Sequence, residues 1–501
     1  MPAPGPRLAE VSELLITLDS KAAEPLHRQL YRGIREAILT GRLPAGVRVP
    51  STRRLAEDLG VSRSTVLLVF DQLVAEGYIV GAVGSGSYVA RLIPDHLLQA
   101  RRETAAPPPR EPVAPRIAPR NRELRQFLRV PSGLYPGAFY TGVPPVDEFP
   151  WSLWSRLAAR SYRRIPRNQL YHGSAAGYLP LREAIVAQLA ASRGVRCSPD
   201  QVIVVSSAQE ALELVCRVLV SPGDAVWFED PGYNGSRAAL TIAGARIVPV
   251  PTDREGMIVE RGIAIEPRAG LALVTPSHQY PSGVTLSLER RLALLQWANQ
   301  TGAWIVEDDY DSEYRYAGRP LTALQGLDSA GRVLYIGTFN KTLFPALRLG
   351  YVVAPEPLIE WLLPMRRIGG QHASPLDQMT LADFMAEGHY ARHLRRLRVV
   401  CKERRDTLLA AVTREFPTLL EIADAETGLH TVGWLPPGVS DRQISAAARE
   451  QGVDTVALST LYIGPVPRPG LLLGYGGLTP PAIDDGMRRL AAAVRSLGLP
   501  L

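Results

Sequence analysis

The chain has 501 residues, of which 46% are hydrophobic and 21% charged, with a formal net charge of +7. That length predicts two or three domains, and the apolar content argues against intrinsic disorder. Three cysteines (Cys197, Cys216, Cys401) at unpaired spacings argue against a disulfide framework or a zinc site. No apolar run approaches the ~20 residues a membrane helix needs, so a soluble, cytoplasmic protein is expected, with no membrane partner. The positive charge permits a polyanionic partner without requiring one.

After a nondescript segment (1–20), residues 21–90 read as a small basic module. Leu26, Leu30, Ile34, Ile38 and Leu39 recur at helical spacing over 25–40, and Gly41 stops the helix. Ser51 caps a short helix over 52–59, ended by Gly60. Ser62 caps another over 63–76, with Val66, Leu67, Phe70, Leu73 and Val74 as its expected apolar face. Two short helices joined by Gly-Val-Ser predict a helix-turn-helix, and residues 78–80 and 87–89 around a glycine-bearing tip predict a wing. Ser62, Arg63, Ser64 and Thr65 would offer base-edge and phosphate contacts, with Arg48, Arg53 and Arg54 flanking the DNA backbone. The stretch VPSTRRLAEDLGVSRSTVLLVFDQLVAEGYIVGAVGSGSYVA resembles the winged helix-turn-helix of GntR-type regulators. The resemblance implies operator contacts from Arg53, the 62–65 turn and the wing glycines, with Arg48, Ser51 and Gly84 completing the candidate set. Leu67 departs from it, standing where some members carry a further DNA-contacting arginine.

Residues 91–134 lose periodicity and are dominated by prolines, which predicts a semi-rigid, extended linker. Arg101, Arg102, Arg110, Arg116, Arg120, Arg122 and Arg125 stand there against few acids. They read either as solvated charges or as a second strip that neutralises DNA backbone.

From 135 to 501, short apolar runs alternate with helical patterns, predicting a mostly parallel sheet with crossover helices. Strands are expected at 202–205, 225–228, 246–250, 271–275, 304–307, 333–336 and 349–353. Helices are expected at 181–193, 209–220, 288–301 and 378–387. Ligands of such sheets sit beyond the strand carboxyl ends, and the residues there are suggestive. Ser206-Ser207-Ala208-Gln209 opens a helix and could cradle an anion. Tyr233 supplies an aromatic ring after the second strand, and SHQYPSG, including His278, follows the fourth. Asp308, Asp309 and Tyr310 follow the fifth, and Thr338, Lys341 and Arg348 the sixth. Lys341 also stands out by composition. Among 56 lysines and arginines, lysine occurs only at Lys21, Lys341 and Lys402, and a guanidinium cannot act as an amine nucleophile. An amine, a carboxylate, an anion cradle and an aromatic lid are together what pyridoxal 5'-phosphate requires.

YHGSAAGYLPLREAI, VVSSAQEAL, VEDPGYNGSRAAL and GTFNKTLFPALRLGYVV resemble fold-type I aminotransferases. More narrowly, SHQYPSG and EDDYDSEYRY resemble the MocR-type regulators, PdxR-type vitamin B6 regulators among them, which fuse a GntR-like winged helix to an aminotransferase-like domain. The resemblance implies Lys341 as the imine lysine and Tyr310 at the phenolic oxygen, with Tyr233 on the ring. It gives Asp308 the pyridine nitrogen, although Asp309 is the adjacent alternative, and counts His278 among the cofactor contacts. A head-to-tail, domain-swapped homodimer is implied as well.

Two departures matter. Leu472 occupies the place of the arginine that grips a substrate carboxylate in amino-acid-handling members, with Arg468 the nearest substitute in sequence. Asn340 replaces the small hydroxyl residue common before the lysine. Three functions remain open: a regulator with pyridoxal phosphate as effector, a regulator sensing an amino acid or amine, and a working aminotransferase with an appended DNA-binding module.

Overall fold

The computed structural model describes residues 16–20, 22–82, 86–91, 116–127, 137–171, 173–316, 321–370, 373–422 and 426–501. It divides into two compact units, 1–116 and 117–501.

In the first unit, α1 (Leu26–Leu39), α2 (Thr52–Leu59) and α3 (Arg63–Ala75) precede an antiparallel hairpin of β1 (Ile79–Ala82) and β2 (Gly86–Val89). Ser51 caps α2 by accepting from the Arg54 N–H at 3.3 Å, and Ser62 caps α3 from the Thr65 N–H at 3.1 Å. Gly60 ends α2 at φ +63°, a left-handed conformation that suits glycine. Leu30, Ile34, Ile38, Leu55, Val66, Val69, Phe70 and Leu73 form the core. The expected face of α3 needs correcting: Leu67 and Val74 are 41% and 47% exposed, and Val69 is buried instead. Val66, Val69, Phe70 and Leu73 complete an i, i+3, i+4, i+7 stripe, and Leu67 and Val74 are each rotated about 100° out of it. The predicted contact Gly84 lies outside the described residues.

In the second unit, the proline-rich stretch is not extended throughout. Pro119–Phe127 forms helix α4. Phe127, buried at its end, sits under the Arg237 guanidinium, 4.2 Å from the ring centroid. Helices α5 (Trp151–Arg164) and α6 (Leu179–Arg193) lead into the sheet. There follow β3 (Val202–Val205), α7 (Ala208–Leu219), β4 (Ala225–Asp230), α8 (Asn234–Ala243), β5 (Arg246–Asp253) and β6 (Gly256–Met257). Next come β7 (Leu271–Val274), β8 (Trp304–Asp309), β9 (Val333–Thr338) and β10 (Gly350–Val353).

The eight strands run in the order β3-β10-β9-β8-β7-β4-β5-β6. Five neighbouring strands, β9 to β5 in that order, pair in parallel, while β10 is antiparallel to both β3 and β9 and β6 to β5. Apolar clusters lie on the sheet's faces, around Val204, Tyr335 and Tyr351 in one case and Val205, Phe228 and Ile336 in another. A smaller antiparallel sheet carries β11 (Glu421–Ile422), β12 (His430–Trp434), β13 (Val456–Ala457) and β14 (Gly470–Gly474). The order of β3, β9 and β10 brings the start of α7 and the segment after β9 to one edge. That edge is where the candidate site forms. Among the described residues, no helix is long and apolar enough to cross a membrane.

Candidate functional site

A cavity of about 350 Å³ opens beyond the strand ends of the large sheet. Ser207, Ala208 and Gln209 line it from the start of α7, Tyr233 from the loop before α8, and Asp308, Tyr310 and Asp311 from β8 and its exit. Thr338 at the end of β9, and Asn340, Lys341 and Arg348 after it, line it too. Four separately placed stretches of sequence therefore meet on one cavity.

The Lys341 ammonium donates to the Gly142 carbonyl at 2.8 Å. Gly142 has φ +77°, and a Cβ there would stand 2.3 Å from Nζ, so a side chain would displace the amine. Burial lowers the lysine pKa below its ordinary value, with the negative charges of Asp311 and Asp308 opposing. The shift favours the neutral amine, the form that attacks a carbonyl.

Asp308 has the reverse problem. Burial, with Asp309 adding to it and Lys341 opposing, pushes its carboxyl up to about 7. Its Oδ1 has no hydrogen-bond partner, which in a buried carboxylate is costly. Asp309 is satisfied elsewhere, at 2.8 Å from the Arg193 Nε and 2.6 Å from the Tyr335 hydroxyl, and it does not line the cavity. Of the two adjacent acids, Asp308 is the one with an unused oxygen facing the cavity.

Tyr310 is held from behind. Its hydroxyl lies 3.0 Å from the His278 Nδ1, which is also 3.0 Å from each Asp311 oxygen. His278 is buried and does not line the cavity. It stands behind Tyr310 as a support rather than as the wall residue that the sequence suggested. Burial raises the Tyr310 phenol well above its ordinary pKa, so the ring stays neutral. The Tyr233 phenol is likewise pushed up to about 12 by burial. A Cβ on Gly235 would fall 2.3 Å from the Tyr233 ring, so the absence of a side chain there lets the ring lie over the first turn of α8.

The opening of α7 presents backbone N–H groups and a positive helix end to the cavity. Ser207 is committed as the cap, accepting from the Glu210 N–H at 3.1 Å. Arg348 takes φ +54°, left-handed for a residue with a side chain, and reaches the cavity from a turn after Pro345–Leu347. Asn340 lines the cavity with an unpartnered Oδ1.

Sequence reasoning missed part of the wall. Tyr140, Thr141, Gly142 and Val143 come from a segment with no periodic signal, and Leu429 and His430 from the smaller sheet's edge. His430 stacks on Tyr310 with ring centroids 6.4 Å apart, and burial pushes its pKa down to about 3, leaving it neutral. Tyr280, quoted only as part of a loop motif, packs edge-on against Tyr233 at 5.4 Å.

Neither candidate carboxylate anchor reaches the cavity. Leu472 is fully buried on β14 among Val432, Leu458 and Leu461. The Arg468 guanidinium is spent on the Leu435 carbonyl at 3.1 Å and Glu421 at 2.6 Å, and it stacks on Trp434. Among the described residues, the only cationic side chains lining the cavity are Lys341 and Arg348.

On the first unit, Arg48, Ser51, Arg53, Ser62, Arg63 and Ser64 are exposed and Thr65 half-buried. The Ser62 hydroxyl is shared with Ser64 Oγ and Thr65 Oγ1, each at 2.8 Å, so this turn is preorganised by its own hydrogen bonds. Arg54 faces Asp58 at 3.6 Å. Arg48 packs beside Gly86 at the loop end of the hairpin, where a Cβ would lie 2.8 Å from its Nε.

Comparisons agree with this two-part reading. Residues 26–89 match the bacterial regulatory proteins of the gntR family, and residues 162–472 match aminotransferase class I and II. The chain is 42% identical to the probable rhizopine catabolism regulatory protein MocR of Rhizobium meliloti, over 96% of each chain. It is 32% identical to the pyridoxine biosynthesis transcriptional regulator PdxR of Corynebacterium glutamicum, over 93% of this chain and 95% of that one. Among solved structures, LysN, the α-aminoadipate aminotransferase of Thermus thermophilus complexed with N-(5'-phosphopyridoxyl)-L-leucine, matches with a TM-score of 0.67 and 28% identity. That match covers 76% of this chain and 95% of LysN. The chain thus belongs to the MocR-type transcriptional regulators, in which a GntR-family helix-turn-helix is joined to an aminotransferase class I and II domain.

Proposed function

We propose that this regulator holds pyridoxal 5'-phosphate at Lys341 and uses it as the effector that sets its affinity for operator DNA, controlling vitamin B6 synthesis genes. The observation that carries the reading is the pairing, across one cavity, of a buried lysine amine with an Asp308 oxygen that has no partner. Pyridoxal phosphate supplies an aldehyde for an amine and a ring nitrogen whose proton would satisfy that oxygen. The residues present fit the group. Lys341 would take the aldehyde, Asp308 would hold the ring nitrogen and Tyr310 the phenolic oxygen. Ser207, Ala208 and Gln209 at the start of α7, with Thr338 and Arg348, would hold the phosphate, and Tyr233 would cover the ring. His278 would act through Tyr310.

The buried Leu472 and the committed Arg468 support the cofactor itself as the signal, because an amino acid would lack the bidentate guanidinium that grips its carboxylate. The same lack speaks against an efficient aminotransferase, which must hold its substrate while a proton moves. A second reading, a regulator answering to an added amine, is favoured by the 42% identity to the rhizopine catabolism regulator. As in the family resemblance, the working form proposed is a head-to-tail homodimer on double-stranded operator DNA.

The test is a titration of pyridoxal phosphate into a complex of the protein with DNA from upstream of its own gene. Binding is read by fluorescence anisotropy at fixed salt, since salt alone moves such affinities strongly, with Lys341→Ala alongside. The expected result is a change of DNA affinity in wild type and none in Lys341→Ala. A wild-type affinity that moves only once an amine or amino acid is added to the loaded protein would overturn the cofactor as effector and favour the second reading.

A further inference from the structure

Helix α4 has a composition that its packing does not explain. Its sequence, PRNRELRQF, carries three arginines and one acid, and Arg120, Arg122 and Arg125 are all exposed. None of the three makes an ion pair or a hydrogen bond with a described residue. The single acid, Glu123, acts electrostatically on Arg237 of α8 and lies on the side of the helix away from Arg122 and Arg125. Arg116, just upstream, is exposed as well.

A helix of this size is shorter than the ~12–15 residues that sustain a helix in water, and like charges three apart, as at Arg122 and Arg125, oppose it further. What holds it is its seat on α8. Phe127 is buried under Arg237, and its carbonyl accepts from the Asn234 Nδ2 at 3.3 Å. The fold therefore fixes a short cationic helix in place and leaves its charges open to solvent.

We propose that the exposed arginines of α4, Arg122 and Arg125 above all, bind the phosphate backbone of double-stranded DNA, as a sequence-independent contact additional to the winged unit. Duplex DNA is the polyanion that this chain already recruits through residues 26–89, and covalent attachment keeps α4 near any DNA so held. The guanidinium fork suits phosphate oxygens. Arg122 and Arg125, three residues apart, lie on one side of the helix about 4.5 Å apart along its axis, and their long side chains can meet about two phosphates of a strand that carries one charge per about 3.4 Å. The proposal rests on DNA binding by the winged unit and not on the cofactor.

Full-length wild type, R120A/R122A/R125A and the control R163A/R164A/R261A are compared on a duplex from upstream of the chain's own gene. The control removes three exposed arginines elsewhere on the same unit, so both variants lose equal charge. The dissociation constant is measured across a salt series. Each lost phosphate contact lowers the slope of log affinity against log salt by about 0.9, so the α4 variant is expected to lose about 2 from the slope and the control to keep it. An unchanged slope in the α4 variant, or an equal fall in both, overturns the proposal. Wild type that fails to bind the duplex at all would instead overturn the DNA-binding reading. The visible absorbance that develops on adding pyridoxal phosphate should match wild type in both variants and reports that the large unit is intact.

Discussion

Lys341 and Asp308 line the same cavity, and burial shifts each toward its neutral form. For Asp308 this makes stability depend on pH. Its carboxyl pKa rises from 3.8 to about 7 on folding, so the neutral acid is the form that the fold prefers. The resulting stabilisation is fully present below about pH 4 and is lost as pH rises through about 7. Asp308→Asn replaces the ionisable group with a neutral one of similar shape. In the cofactor-free protein, thermal unfolding should therefore show the variant close to wild type at about pH 4 and more stable at about pH 8, by on the order of 4 kcal/mol. Glu229, likewise pushed up to about 7 by burial, keeps part of the pH dependence in the variant. With pyridoxal phosphate added, the order should reverse, because an amide cannot hold a protonated ring nitrogen as a carboxylate does. A difference between the two proteins that is the same at both pH values, with and without the cofactor, would sink this account of Asp308.

At the scale of elements, α8 links the cavity to the end of the proline-rich stretch. Tyr233, its N-cap residue, lines the cavity, and Asn234, the next residue, and Arg237, one turn on, hold Phe127. Gln209, also in the wall, donates to the Gly235 carbonyl at 3.1 Å. Filling the cavity against Tyr233 would thus bear on the same helical turn that seats α4. Phe127→Ala should leave pyridoxal phosphate affinity within about twofold, since Phe127 does not touch the cavity, yet diminish the effect of the cofactor on DNA affinity by several-fold. Anisotropy with and without cofactor measures it, and an undiminished response would rule α4 out as a coupling element. The sequence predicted none of this helix. A single apolar anchor at its end gives no period, and prolines on its upstream side suggested an extended chain. The strands were more legible, but their ends were not. Apolar runs located 225–228, 304–307 and 333–336, whereas β4, β8 and β9 continue to Asp230, Asp309 and Thr338. Hydropathy ends each strand where polar residues begin, and in this sheet those polar residues, Asp308 and Thr338 among them, are still strand residues that face the site. Tyr140, Gly142 and His430 were illegible for another reason. They reach the cavity only through tertiary packing, and nothing local marks them.

For the molecule as a whole, one unit carries the proposed DNA-binding residues and the other the cavity, so regulation by the proposed effector would be a coupling free energy between two separate sites. Such coupling is reciprocal. If pyridoxal phosphate changes DNA affinity by some factor, saturating DNA must change pyridoxal phosphate affinity by that same factor, whichever its direction. A factor between about 5 and 150 corresponds to the usual range of allosteric coupling. Two titrations test this: DNA into protein with and without cofactor, read by anisotropy, and cofactor into protein with and without DNA, read by absorbance. Arg53→Ala and Arg63→Ala sharpen the test. Both side chains are exposed on the winged unit, so each should weaken DNA binding by about 1 to 3 kcal/mol while leaving cofactor affinity in the absence of DNA unchanged. Equal factors in the two directions mean that cofactor and DNA bias one shared equilibrium. Unequal factors mean that another linked event, such as a change of subunit association or an added amine, contributes to the switch, and pyridoxal phosphate would then not be the sole effector.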